Sequence, residues 1–185
     1  MRSAIFPMGY VLPLLALYPC MAQVREGNNL APYVPSPQPV VIRMLETAEL
    51  KPDEILYDLG CGDGRILVTA AQQFRARAVG VELSAERYKL ALDTISRLGL
   101  QNAARVIHGD LMKVDISEAD VVTIYLLTSS NERLKPKFEK ELKPGARVVS
   151  LDYRVRGWKP KRIEKTEAHQ RSYTIYLYEF PQTEQ

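Results

Sequence analysis

Cysteine and histidine are scarce: the 185 residues include two of each. Cys20 and Cys61 support neither a disulfide framework nor a Cys-rich zinc site. His108 and His169 are too few for a metal constellation, so no metal is expected. A dominant charge sign is missing as well. The 25 basic and 22 acidic residues give a net charge of +3, an ordinary surface that offers no reason to expect sequence-specific nucleic-acid binding. Internal repeats and low-complexity tracts are absent. The length suits one domain with a sizeable core and leaves little room for a second catalytic domain.

The N-terminus differs in composition from the rest. Arg2 precedes an uncharged stretch over 3–24 with an apolar centre at 10–17, followed by Cys20-Met21-Ala22, which resembles a small-residue cleavage site. Three readings fit: a secretory signal, an uncleaved membrane tether through 3–24, or translation that starts at Met21. Pro7, Pro13 and Pro19 interrupt a straight transmembrane helix. The expected organisation is a leader at 1–22, an extended Pro-containing entry segment at 23–37 and one domain at 38–185.

The chemistry begins at Asp58-Leu59-Gly60-Cys61-Gly62-Asp63-Gly64-Arg65, which follows the apolar run Ile55-Leu56-Tyr57 and precedes the helix-like Ile66-Leu67-Val68. A strand, a glycine turn and a helix in this order cradle a nucleotide cofactor, because glycine lets a ligand approach the main chain closely. A dinucleotide site would want its third glycine at 65, where Arg65 stands, and a pyrophosphate over the helix N-terminus. Carboxylates at Asp58 and Asp63 repel phosphate but suit the ammonium and sulfonium of S-adenosylmethionine. A second strand at 78–82 ends in Glu82, whose carboxylate can accept both ribose hydroxyls. NAD sites use the same device, so Glu82 alone does not discriminate. A third strand, Ala104 to His108, leads to Gly109-Asp110, which puts a polar group where the adenine would lie.

Helices and strands alternate around these motifs. Val41, Met44, Leu45 and Ala48 recur at helical spacing before Lys51-Pro52-Asp53. Leu67, Ala70, Ala71 and Phe74 form a second apolar face, and Tyr88, Ala91, Leu92 and Ile95 a third, between Ser84 as N-cap and Gly99 as C-terminal cap. A fourth strand is expected over 121–127, a charged helix over 131–142, a fifth strand over 147–151 and a closing hairpin from 163–167 and 172–180. The fold class is therefore α/β: a Rossmann-like seven-strand methyltransferase arrangement, mostly parallel, with an antiparallel C-terminal strand.

The chain resembles the small seven-strand protein-lysine methyltransferases, both the archaeal type acting on chromatin proteins and the mitochondrial type acting on the ATP-synthase c subunit and the adenine nucleotide translocase. The likeness runs over about 32–180. It rests on the glycine turn, Pro32-Tyr33-Val34-Pro35-Ser36-Pro37, Val79 to Glu82, Val121-Val122-Thr123-Ile124-Tyr125-Leu126-Leu127-Thr128, Leu142-Lys143-Pro144-Gly145 and Gly157-Trp158-Lys159-Pro160. Two departures stand out: Leu151 occupies the position where the family commonly has histidine, and the leader is foreign to the archaeal pattern.

The resemblance implies methyl transfer from S-adenosylmethionine to a lysine amine of a protein. It implies a cofactor set of Tyr33, Ser36, Asp58, Gly60, Cys61, Gly62, Glu82 and Asp110, with Tyr125 and Thr128 as the catalytic pair near the transferred methyl. A small-molecule methyltransferase and a non-catalytic, membrane-tethered cofactor binder are the alternatives. The cofactor is made and used in the cytosol, so a cytoplasmic domain is expected despite the signal-like leader. The basic run over 154–165, with Trp158 in it, reads either as a docking surface or as a solvated connection.

Overall fold

The computed structural model describes residues 32–182; the leader and the start of the entry segment lie outside them. After the extended residues 32–37, α1 (Gln38–Thr47) begins behind Pro37, with a second proline at its start where the missing N–H costs nothing. The chain leaves this helix through Glu49 at φ 52°, and β1 (Ile55–Leu59) follows. Next come α2 (Arg65–Phe74), β2 (Arg77–Glu82), α3 (Ala85–Arg97), β3 (Ala104–His108) and β4 (Val121–Ile124). The remaining elements are α4 (Thr128–Glu141), β5 (Arg147–Leu151), β6 (Arg162–Ala168) and β7 (Arg171–Glu179).

The strands form one seven-stranded sheet in the order β3-β2-β1-β4-β5-β7-β6. Pairing is parallel from β3 through β5, and β7 is antiparallel to both β5 and β6. The expected mixed sheet is thus present, with both hairpin strands at one edge. From β1 the chain moves outward through β2 to β3, then returns to β4 on the other side. That reversal opens a crevice at the carboxyl ends of β1 and β4, where open α/β sheets bind ligands.

Alternation along the buried strands supplies two cores. Leu56, Ala78, Val121 and Val149 face α1, α2 and α3 together with Val41, Leu45, Leu67 and Ile95. Tyr57, Val79, Val122 and Val148 face the other side, covered by Leu134 and Phe138 of α4 and by Trp158. Ser84 caps α3 as expected, accepting from the Arg87 N–H, and Gly99 takes φ 67° just past its end.

Two elements differ from the sequence expectation. The fourth strand stops at Ile124, not Leu127: register ends at Leu59↔Ile124 on one side, where β1 also ends, and at Ile124↔Ser150 on the other. Residues 125–127 therefore leave the sheet. The following helix begins at Thr128, a turn earlier than Asn131, because the Leu127 carbonyl accepts from the N–H groups of Ser130 and Asn131 at 2.9 and 3.0 Å. A main-chain start of this kind leaves no capping side chain to be seen in a sequence.

The basic run is held to the fold. Trp158 is buried against Phe138 and Tyr178, with ring centroids 5.7 and 5.6 Å away. Arg154 lies over the Tyr176 ring, Arg156 pairs with Glu132, Lys161 with Glu179 and Arg162 with Glu49. Trp158 and these pairs tie the run to the rest of the fold.

Candidate cofactor and acceptor cleft

The glycine turn is tied to the end of β2. Gly60 and Cys61 donate their N–H groups to the Val81 carbonyl at 2.8 and 3.1 Å, and Gly62 donates to Glu82 Oε2 at 2.9 Å. Gly60, Gly62 and Gly64 all have positive φ, which fits the close turn that the sequence suggested. The Cys61 thiol points away from solvent: a Cβ at Gly80 would stand 2.5 Å from Cys61 Sγ and 2.6 Å from Leu67 Cδ1. Burial drives this thiol far above its ordinary pKa, so it is a packing group and not a nucleophile. Gly80 carries no motif signal of its own, yet its lack of a side chain makes the room.

Tyr33, Ser36, Asp58, Gly60, Cys61, Gly62, Glu82 and Asp110 line a single cleft, together with Tyr125. Thr128, the first residue of α4, is outside that lining, so of the expected catalytic pair only Tyr125 borders the cleft. The entry segment closes the cleft from above. A Cβ at Gly62 would come within 2.5 Å of Tyr33 Cε2, so the Tyr33 ring rests on the turn. Arg87 stacks 5.3 Å from the centroid of that ring. Arg65 donates to the Ser36 carbonyl at 2.6 Å, fastening the next stretch of the segment.

Charge in the cleft is distributed differently from the sequence expectation. Asp63 is clasped by Arg65, Nη2 to Oδ2 at 2.6 Å and Nε to Oδ1 at 2.9 Å. Burial pushes the Asp63 carboxyl upward, but the Arg65 hydrogen bonds and charge prevail and hold it below the ordinary range. Its charge therefore serves Arg65 and the entry segment first. Asp58 is buried and accepts from Thr123 Oγ1 at 2.8 Å, the residue directly across the β1–β4 register. Burial raises Asp58 to about 7, opposed by the Thr123 bond and assisted by the negative Glu82 and Asp63. Glu82 accepts from Gly62, from the Ser84 N–H at 2.8 Å and from Arg87 Nε at 3.2 Å. Asp110 Oδ1 accepts from the Met112 N–H at 2.9 Å. Neither Thr123 nor Arg87 is marked by a motif; a hydroxyl in an otherwise apolar strand was the available signal for the first.

The raised Asp58 gives a pH expectation with a definite sign. The folded protein binds this proton more tightly than the unfolded chain, whose value is near 3.8. Stability contributed here is therefore full below about 4, falls as pH rises toward about 7 and levels off above it. Chemical denaturation from pH 5 to 8 should show the slope, and Asp58→Asn should remove it. A wild-type slope that the variant retains assigns it to other groups.

At the Tyr125 end of the cleft, Tyr125 donates to Asp152 Oδ2 at 3.2 Å, and Arg171 Nη2 contacts both Tyr125 Oη at 3.2 Å and Asp152 Oδ2 at 2.8 Å. Burial raises the Tyr125 phenol, which is therefore a neutral donor at physiological pH. Leu151, at the position where histidine was expected by resemblance, is fully buried at the end of β5.

Residues 58–162 match the ANTKMT methyltransferase domain family. The chain is 55% identical over 148 residues to a protein-lysine N-methyltransferase from Saccharolobus islandicus, covering 80% of this chain and 92% of that one. It is 33% identical over 154 residues to the adenine nucleotide translocase lysine N-methyltransferase of Mus musculus, covering 83% of this chain and 66% of the mouse protein. The crystal structure of an RNA methyltransferase from Salinibacter ruber with S-adenosyl-L-homocysteine superposes with a TM-score of 0.77 at 42% identity, covering 81% of this chain and 95% of that one. The close approach at Gly62, the buried Asp58 and the strand-end Glu82 suit the same cofactor. The chain is an S-adenosylmethionine-dependent methyltransferase and belongs to the ANTKMT methyltransferase family.

Proposed function

We infer that this enzyme transfers a methyl group from S-adenosylmethionine to the side-chain amine of a lysine in a protein. The observation that carries the reading is the 55% identity to a protein-lysine N-methyltransferase along 92% of that relative. The Salinibacter ruber relative, described as an RNA methyltransferase, supplies the second reading. Incubating the full chain with labelled cofactor and host lysate, then digesting separately with protease and ribonuclease, tests the choice. Label that survives ribonuclease and maps to lysine supports the protein reading; label released by ribonuclease overturns it.

Bound S-adenosylmethionine supplies an electrophilic methyl group on a sulfonium. The residues of this chain have the task of alignment. Gly60 and Gly62 would admit the ligand to the main chain, Glu82 would accept from ribose hydroxyls, and Asp58 would face the ammonium. Asp110 would border the adenine, while Tyr33, Ser36 and Cys61 would complete the walls. A free lysine, with a pKa near ~10.4, is almost wholly protonated at neutral pH, so the acceptor must lose a proton before its lone pair can attack. Tyr125, which borders the cleft, is the hydroxyl we assign to orienting that amine; Thr128, outside the lining, is given no role in the reaction. Tyr125→Phe is expected to lower kcat about tenfold while leaving cofactor affinity within about twofold, the loss of roughly one hydrogen bond to the reacting group. Equal losses in both quantities would make Tyr125 structural.

Residues 3–24 are proposed as a membrane tether, with the domain facing the cytoplasm. Among the described residues no helix is long and apolar enough to cross a membrane. A fragment starting at Gln23 should fold and bind cofactor like the full chain, since the domain is assigned to 38–185. Fractionation of native cells distinguishes the outcomes: membrane association with an intact N-terminus supports the tether, a processed exported product supports a signal, and a cytosolic product beginning at Met21 supports an internal start.

A further inference from the structure

Tyr125 borders the cleft, and its hydroxyl joins it to a cluster just behind that wall, built from segments that the cofactor assignment does not use. Tyr125 follows β4, Asp152 follows β5, and Arg171 opens β7, which runs antiparallel and so begins at the same edge of the sheet. Asp152 is held firmly. Its main chain has φ 59°, its N–H donates to the Thr174 carbonyl at 2.7 Å, and its Oδ1 accepts from the Thr174 N–H at 2.9 Å. The following loop is pinned from below, since the buried Asn131 donates to the carbonyls of Tyr153 and Arg154 at 3.0 and 3.3 Å.

What remains of Asp152 is Oδ2, which faces Tyr125 and receives Arg171. Aromatic rings border the cluster: Tyr153 lies 6.1 Å from Tyr125, and the Arg171 guanidinium sits 4.5 Å from the Tyr173 centroid. A carboxylate with aromatic faces is a cation seat. The resident cation is held by Asp152, Tyr125 and the Tyr173 ring but is open to solvent, the Arg171 side chain being 49% exposed whereas Asp152 is 16% exposed. Exchanging one surface cation for another at this carboxylate costs little.

We propose that Asp152, with Tyr125, is the seat for the ammonium group of the acceptor lysine, and that Arg171 fills the seat in the free protein and is displaced by substrate. This rests on the protein-lysine reading and adds to it the residues that capture the side chain. Asp152 recruits the charged form. The lysine then gives up one proton to water, and the neutral amine, held by Tyr125, forms the N–C bond as the S–C bond breaks.

The test separates capture from turnover. N-acetyl-lysine amide and N-acetyl-norleucine amide, which lacks the ammonium group, are titrated into the full chain saturated with S-adenosylhomocysteine, with binding followed by NMR. The lysine probe should bind and the norleucine probe should not. Asp152→Asn should weaken lysine binding at least tenfold with cofactor affinity unchanged, and Arg171→Gln should tighten it threefold or more. In steady state, Asp152→Asn should raise the acceptor KM more than it lowers kcat.

Lysine binding that is absent in wild type, indifferent to Asp152→Asn or matched by norleucine overturns the seat. Arg171→Gln that weakens binding overturns the displacement and makes Arg171 part of the site. If Asp152→Asn fails to fold, as loss of S-adenosylhomocysteine binding would reveal, Arg171→Gln and the norleucine comparison still decide. Asp152-dependent capture without methylation of any protein lysine would instead count against the functional reading alone.

Discussion

Gly62→Val is expected to reduce S-adenosylmethionine affinity by about 100-fold or more, roughly 3 kcal/mol, from backbone strain and overfilling of a tight space. Gly62 has φ 56°, a conformation that side chains rarely adopt, and its Cβ would project toward the Tyr33 ring on the open side of the turn. The ring can swing away, but any group lying on the turn would still meet the new side chain. Gly99→Val is the matched control: φ is 67° there, and a Cβ would meet nothing within 4 Å. Calorimetry and thermal melting on both variants separate strain from obstruction. Strain lowers stability in each, whereas only Gly62→Val should lose the ligand. Binding within threefold of wild type in a folded Gly62→Val protein would show that the ligand does not lie on this turn.

Glu82→Ala should weaken cofactor binding by about 1.5–3 kcal/mol and also lower stability, because one carboxylate has two kinds of partner. Its oxygens accept from the Gly62 and Ser84 N–H groups, fixing the turn and the start of α3, and from Arg87, whose guanidinium stacks on Tyr33. Truncation leaves buried donors without an acceptor and frees the residue that backs the entry segment. Glu82→Gln keeps an acceptor oxygen and should fall between wild type and alanine in both measurements. Isothermal titration with S-adenosylhomocysteine, alongside urea denaturation, provides the comparison. A Glu82→Ala protein that loses stability but binds with undiminished affinity would confine Glu82 to supporting the turn.

The glycine turn, the acid ending β2 and the alternating elements were legible because each is local: a few adjacent residues define the conformation and the chemistry together. The hairpin was legible for the same reason, from the spacing of aromatics along 172–180. The end of β4 was not, since residues 125–127 are as apolar as the strand before them and leave it where the pairing with Leu59 of β1 and Ser150 of β5 ends. The fate of Asp63 was hidden differently. Its neighbour Arg65 was visible as a departure from a dinucleotide motif, but its clasp on Asp63 and Ser36 depends on how the turn folds. Contacts between distant segments were invisible altogether, as with Tyr125 and Arg171, which stand 46 residues apart in sequence.

The reversal of strand order at the centre of the sheet separates the two reactants along the chain. Beyond the entry segment, the residues assigned to the cofactor come from the ends of β1, β2 and β3, all before β4; those assigned to the acceptor come from the ends of β4 and β5 and the beginning of β7. On the proposed assignments, substitutions at Asp152 and Arg171 would reshape what is methylated without rewriting how the methyl donor is held, whereas Tyr125 and Leu126 line the shared cleft. On those assignments the fold has the plan of a tool with a fixed handle and an exchangeable jaw, the jaw being three segments at one edge of the sheet.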